Sequence, residues 1–224
     1  MRVPVLRVCG FAGLPVTLSS MPRLLLATNN PGKVAEYDVL LEGCGWEFVT
    51  PATLGLTLAP DETGPTYEEN ATMKARHGAE ASGLVSLADD SGLEIEALGG
   101  EPGVHSARFL GADASYAERF AEIERRLADV PRERRRGRFR CVIVVANPRT
   151  GAVRIAEGEV FGLISHTPRG EGGFGYDPIF WVPQHSATMA ELPEHQKNIV
   201  SHRARAVAGA RQILKELLFE YQRT

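Results

Sequence analysis

The apolar run Arg23–Ala27 ends in Thr28-Asn29-Asn30-Pro31-Gly32-Lys33, and helical spacing follows through Val34, Tyr37 and Leu40/Leu41. This succession of strand, turn and helix constrains the fold most, because the helix must bury its apolar face against the sheet the strand belongs to. Gly43 and Gly45 close the first helix, and Glu47–Thr50 reads as a second strand. Pro51–Pro65 reads as a loop. A second helix is expected from Tyr67 to about Gly83, with Thr66 as N-cap and Glu69 three residues on, the capping-box spacing. Leu84–Ala88 is then a strand, and Leu93–Ala97 continues extended. Ser115–Asp129 has helical spacing with Tyr116, Phe120, Ile123 and Leu127 on one face. Arg140–Asn147 and Val153–Ile164 read as long strands joined by a turn at Pro148–Gly151. A glycine-rich loop, Gly170–Asp177, precedes Pro178–Val182, and a last helix runs from Ser201 to about Tyr221. Alternating helices and strands followed by a strand hairpin predict an α/β protein with a mixed sheet.

The chain of 224 residues is 43% hydrophobic and 24% charged, ample for one core, and no linker separates independent domains. A single domain over residues 21–224 is therefore expected. The net charge of −3 argues against a nucleic-acid coat or a membrane-surface protein. No segment approaches the ~18 apolar residues of a membrane span. Cys9, Cys44 and Cys141 are scattered and include no Cys-x-x-Cys, which disfavours a disulfide framework or a zinc site and points to a cytoplasmic protein. Residues 1–20, MRVPVLRVCGFAGLPVTLSS, faintly resemble a signal peptide. Arg7 interrupts the apolar stretch, however, and no small-x-small cleavage site follows. Met21 immediately precedes the first strand, so residues 1–20 are expected to be a disordered extension or to reflect an alternative translation start.

Four segments could carry chemistry. Thr28–Lys33 places a glycine-containing turn before a helix start, where free N–H groups and the helix dipole favour a phosphate, although the P-loop spacing is absent and a plain turn would look the same. In Leu87-Ala88-Asp89-Asp90-Ser91-Gly92, two adjacent aspartates on a strand would point to opposite faces, so one would meet a cleft. The alternative is a turn in which aspartate satisfies backbone N–H groups. In Gly172-Gly173-Phe174-Gly175-Tyr176-Asp177-Pro178, glycines flank an aromatic ring, and Asp177 could accept from a base N–H; a turn packed on the core is the alternative. Finally, Ser201 caps a helix whose first turn holds His202 and Arg203, the unfavourable end of the dipole for a cation. An anionic or oxygen-rich ligand would compensate. Asn70 and Lys74 share a helix face, where a solvated lysine is the plain reading. The arginine-rich stretch Arg132–Arg140 reads as a solvated charged loop rather than a nucleic-acid patch.

Together these segments resemble a known family. Thr28-x-Asn30-x-x-Lys33-x-x-Glu36, Asp61-Glu62-Thr63-Gly64, Glu69-Asn70-Ala71-x-x-Lys74-Ala75, Ala88-Asp89-Asp90-Ser91-Gly92-Leu93, Pro102-Gly103-Val104-His105-Ser106-Ala107-Arg108, Gly173-Phe174-Gly175-Tyr176-Asp177-Pro178 and Ser201-His202-Arg203 occur in unbroken order between Pro22 and Leu218. The chain resembles the inosine/xanthosine triphosphate pyrophosphatases, which act on non-canonical purine nucleotides. The resemblance implies a long mixed sheet flanked by helices, two lobes with a cleft between them, and a homodimer. It also implies Mg2+-dependent hydrolysis of a nucleoside triphosphate to the monophosphate and pyrophosphate. By that resemblance Thr28, Asn30, Lys33 and Lys74 bind the triphosphate, and Ser91 touches the substrate. Glu62 and Asp90 are the magnesium carboxylates, with Asp90 also accepting the proton of the attacking water. Asp89 is then expected to support the local backbone or the residues behind the site. Phe174 stacks on the base within the Gly175-Tyr176 turn, and Asp177, Lys197, His202 and Arg203 read it. Nucleic acid and membranes are not expected partners. Two other readings stay open on sequence: a regulator that binds nucleotide without turning it over, and a nucleic-acid module using the arginine run.

Overall fold

The computed structural model of the protein describes residues 21–58 and 63–223. The expectations for residues 1–20, and for Asp61 and Glu62, lie outside the described residues.

β1 (Arg23–Leu26) runs into α1 (Pro31–Leu40), and β2 (Glu47–Val49) returns parallel to β1. α2 (Tyr67–Ser82) then crosses to β3 (Val85–Ile95), which pairs parallel with β1 on its other side. After α3 (Tyr116–Arg126), β4 (Arg136–Ala146) and β5 (Val153–Ile164) extend the sheet as an antiparallel hairpin. β6 (Phe180–Val182) and β7 (Ala187–Thr188) add short antiparallel strands, followed by α4 (Glu194–Val200) and α5 (His202–Gln222). The result is a seven-stranded mixed sheet in the order β2-β1-β3-β4-β5-β6-β7. No described helix is long and apolar enough to cross a membrane.

The core explains how this sheet makes a cleft. On one face, α1 and α5 cover Leu24, Leu26, Leu87, Cys141 and Ile143. Further along the same strands, Leu93, Ile95, Phe139 and Val160 pack with α3 and with β6. Two apolar lobes thus share one sheet face, separated at Asp89 and Ser91. On the opposite face α2 packs its alanines on Leu25, Ala88, Val142 and Val144. β1 is much shorter than β3: its pairing stops at Leu26 opposite Leu87, so that edge of β3 opens at Asp89 and is covered again only from Leu93 to Ile95, where Ser106, Pro102 and Glu101 meet it. Ligand sites in open α/β sheets sit at such strand ends.

Several sequence expectations change here. The segment Asp89–Gly92 is not a turn; it continues β3 without interruption, paired residue for residue with Cys141–Arg140 and their neighbours on β4. The arginine-rich stretch is only partly a loop. Arg136, Arg138 and Arg140 alternate along β4, where Arg138 pairs with Glu94 and Glu159, and Arg140 with Glu157. The guanidiniums of Arg138 and Arg140 are thus engaged with protein carboxylates on the sheet. α4 went unrecognised, because its seven residues follow Pro193 with no side-chain cap and little apolar periodicity.

α5 lies on β5 at Gly158, where an added Cβ would come within 2.3 Å of the Ala206 nitrogen and the His202 carbonyl oxygen. Both obstacles are backbone at the start of the helix and cannot rotate away. Gly158→Ala is therefore expected to lower stability by roughly 1–3 kcal/mol through overpacking, read as a lower urea midpoint at unchanged slope.

Candidate active site

Asn30 builds the phosphate-facing turn. Its side chain accepts from the Lys33 N–H, capping α1, and Pro31 occupies the first helical position. The Asn30 N–H donates to Thr28 Oγ1, so Thr28, Asn30 and the helix start form one unit. An added Cβ on Gly32 would meet Phe174 Cδ1 at 2.8 Å, so this turn packs directly on the aromatic of the glycine-rich loop.

Strand alternation sends the two aspartates to opposite faces. Asp89 Oδ2 receives Lys33 Nζ at 3.1 Å and Arg203 Nη2 at 3.1 Å. Asp90 meets α2 instead, with Lys74 Nζ on Oδ1 at 2.8 Å and Asn70 Nδ2 on Oδ2 at 3.3 Å. Where β1 stops short of Asp89, both carboxylates border the same cleft of about 400 Å³. Ser91 Oγ accepts from Arg203 Nη2 at 3.1 Å.

At the other end, Gly173 takes a left-handed φ of 72°, which brings the Phe174 N–H onto Asp177 Oδ2 at 3.0 Å. Lys197 bridges Asp177, at 2.6 Å, and Glu36, at 2.7 Å. Glu36 in turn binds Arg203 Nη1 at 2.5 Å. The ammonium of Lys197 and the guanidinium of Arg203 lie 5.0 Å and 5.5 Å from the Phe174 ring centre. His202 stacks on Phe139 at 4.7 Å, and its Nδ1 has no hydrogen-bond partner among the described residues.

Electrostatics follow from burial and pairing. Burial opposes ionisation of Asp89, but Lys33 and Arg203 outweigh it and hold the carboxyl well below its ordinary 3.8. Burial, together with the Arg203 charge, drives His202 well below 6.5, so the ring is neutral at pH 7. Burial would lower Lys197, yet Asp177 and Glu36 raise it above the usual lysine value. The Cys141 thiol, 3.7 Å from Asp89, is pushed up by burial and by that carboxylate and stays protonated.

Thr28, Asn30, Lys33, Lys74, Asp90, Ser91, Phe174, Gly175, Tyr176, Asp177, Lys197, His202 and Arg203 all line this one cleft. Glu62 belongs to the segment outside the described residues. One expectation is corrected: the basic first turn of α5 is compensated within the protein, since Arg203 is 1% exposed and paired with Glu36 and Asp89, and His202 is uncharged. From the sequence, Glu36, Asn70, Phe139 and Tyr116 carry no assigned site role, although each of them lines the cleft or pairs with a residue that does. Glu36 and Asn70 carried a signal, falling three residues after Lys33 and four before Lys74 on the same helix faces.

A model of the Ham1 family matches residues 24–213. The chain belongs to the Ham1 family. The dITP/XTP pyrophosphatase of Desulforamulus reducens is 46% identical over 195 residues, covering 87% of this chain and 96% of that protein. The dITP/XTP pyrophosphatase of Methylococcus capsulatus is 47% identical over 196 residues, with 87% and 97% covered. Among solved structures, a HAM1 protein from Coxiella burnetii superposes with a TM-score of 0.80 at 41% identity, covering 88% of this chain and all of that one. The Staphylococcus aureus Ham1 protein gives 0.77 at 36% identity, with 87% and 98% covered. The α/β sheet is thus the Ham1 fold.

Because the folded Asp89 carboxyl titrates below 3.8, its contribution to stability is complete above that value and disappears as pH falls towards the folded value. Asp89→Asn is expected to cost roughly 3–5 kcal/mol at neutral pH, by unpairing Lys33 and Arg203. The penalty should shrink steadily below about pH 4. Urea unfolding of both proteins across pH 2–7 checks this.

Proposed function

We propose that the chain hydrolyses non-canonical purine nucleoside triphosphates, ITP, dITP and XTP, to the monophosphate and pyrophosphate, by attack of water at the α-phosphorus. One observation carries this reading: a single cleft holds a capped helix start with Lys33, Lys74 and Asp90 at one end, and an aromatic ring among Asp177, Lys197, His202 and Arg203 at the other. A nucleotide has that same polarity, a phosphate chain at one end and a flat hydrogen-bonding ring at the other. The dITP/XTP pyrophosphatase relatives support it, since they span nearly the whole cleft-forming chain.

In this reading Thr28, Asn30 and the start of α1 at Gly32 seat the phosphates, with Lys33 and Lys74 as point charges. Asp90 takes the proton of the attacking water, and Lys74 and Asn70 fix its orientation. Phe174 stacks on the purine. Asp177, already tied to Lys197, accepts from a ring N–H, while the neutral His202 presents one N–H and one lone pair. A 6-oxo purine matches these donors, whereas the adenine amino group leaves a buried donor unmet. Each such mismatch costs roughly 1–3 kcal/mol, so a pair rejects ATP by ~10²-fold or more.

Magnesium belongs to this reading as well. Among the described residues no cluster of His, Cys, Asp and Glu surrounds a metal position. Mg2+ needs no such cage, because it takes one or two carboxylates and fills its shell with water and phosphate oxygens. Asp90, a hard oxygen donor at the phosphate end, fits that donor set, and Glu62 would be the second carboxylate. Bound there, the ion would neutralise phosphate charge and lower the pKa of a bound water. The reading also includes one catalytic domain over residues 21–224, supported by the absence of a linker, action in the cytoplasm, supported by the scattered cysteines, and a homodimer, supported by the sequence resemblance.

With magnesium, the purified protein should release pyrophosphate from ITP, dITP and XTP at least ~10²-fold more efficiently than from ATP. Comparable rates across that panel would overturn the specificity, and nucleotide binding without any turnover would favour a regulator. Asp90→Asn should lower kcat by about 10²–10⁴-fold, the usual contribution of a general base, while ITP still binds in a calorimetric titration. Near-normal turnover would remove Asp90 from its proposed role.

A further inference from the structure

The two ends of the cleft are joined by a wall that the nucleotide reading leaves unassigned. It starts at Ser91 and Gly92, next to Asp90. An added Cβ on Gly92 would meet the Gly103 carbonyl oxygen at 2.3 Å and Ser106 Oγ at 2.6 Å, so the 103–108 segment lies directly on β3. Ser106 then hands on to the base end, because its carbonyl accepts from the Tyr176 hydroxyl at 2.9 Å. Tyr116, the first residue of α3, stands against Tyr176 with ring centres 5.3 Å apart and nearly perpendicular. Its hydroxyl oxygen sits over the backbone of Gly175, 3.5 Å from where a Cβ would be. A nucleotide held at both ends has its sugar between them, where this wall lines the cleft.

Most polar side-chain groups on the wall are already engaged. Ser91 Oγ accepts from Arg203. Ser106 Oγ accepts from the Leu93 N–H and donates to the Gly103 carbonyl. The Tyr176 hydroxyl is spent on Ser106. The Tyr116 hydroxyl makes no hydrogen bond among the described residues, and the residue is 38% exposed. The ring is nevertheless held in place. Tyr176 and Phe120 pack on it, and the Arg119 guanidinium lies 4.9 Å from its centre. Arg119 is itself anchored to the carbonyls of Phe109 and Gly111. A rigid aromatic ring carrying an uncommitted hydroxyl at the cleft is a pre-organised donor and acceptor, which suits a sugar hydroxyl better than an anion or a cation.

We propose that Tyr116 is a substrate-contacting residue whose phenol hydrogen-bonds a hydroxyl of the nucleotide sugar. The assignment rests on the nucleotide reading of the cleft, and it adds the sugar as a third recognised part of the substrate. Tyr116→Phe keeps the ring and its packing, so the melting temperature should not move. The test compares ITP with 2′,3′-dideoxyinosine triphosphate on both proteins. For ITP, Tyr116→Phe should lower kcat/KM about three- to tenfold, carried by KM, the loss of one hydrogen bond. For the dideoxy nucleotide the two proteins should be equal. An equal loss on both substrates, or none on either, overturns the sugar contact while leaving the hydrolase reading intact. Should the wild-type protein turn over neither nucleotide, calorimetric Kd values for the same four pairs read the contact on their own. The same differential is expected there, and its absence, or no binding at all, overturns the proposal.

Discussion

The floor of the cleft is a row of alternating charges: Lys33, Asp89, Arg203, Glu36, Lys197 and Asp177, each ion-paired to the next. Its members come from α1, β3, α5, α4 and the glycine-rich loop, so this one network fixes the relative positions of nearly every element around the site. Most of it is almost wholly buried. Buried charges are tolerable only when each is paired and hydrogen-bonded, and removing one member strands its neighbours. The row therefore stabilises a specific arrangement more than it stabilises the fold. It holds Arg203 and Lys197 beneath Phe174 before any ligand arrives, which is the preorganisation that electrostatic recognition needs.

The sheet explains why such a row can exist at the middle of the molecule. β3 is 11 residues long, whereas β1 has four, so the parallel pairing stops just before Asp89. Strand alternation then gives one strand two functional faces. Asp89 and Ser91 address α1 and α5, and Asp90 addresses α2. Two adjacent residues thus supply one carboxylate to the ion-pair row and one to α2, both bordering the cleft, with no loop that could let them drift.

How much of this was legible in the sequence depended on the range of the interactions. The strand over Val153–Ile164 and the Ser201 cap of α5 were readable, because periodicity and capping are local. Continuation of β3 through Asp89–Gly92 was not, because the backbone there is compatible with a turn until the carboxylates find partners. Those partners are Lys33 and Arg203, 56 and 114 residues away, and no local pattern announces them. The same holds for the basic first turn of α5. It looked like a broken rule that needed an external anion, whereas Glu36, 167 residues away, supplies the compensation. Motif order brought the right residues to notice, and only the fold could say which charges are spent on one another.

That distinction bears on the chemistry. The row contains three cations and three anions, and the adjoining Lys74–Asp90 pair is likewise balanced. A triphosphate entering this cleft therefore finds little net positive charge. Its negative charge must be met by rearrangement or by an added cation. Lys33 is the member best placed to rearrange. It sits at the rim with its ammonium at 3.1 Å from Asp89, and Asp89 keeps Arg203 if Lys33 swings to a phosphate. Lys74 can turn from Asp90 in the same way, and that releases a carboxylate at the place where a divalent ion and a water would share it. In the proposed reaction, ion pairing in the resting site is thus a reserve. The cations pass to the substrate, and the acids they leave become a supporting aspartate on one face of β3 and a proton acceptor on the other.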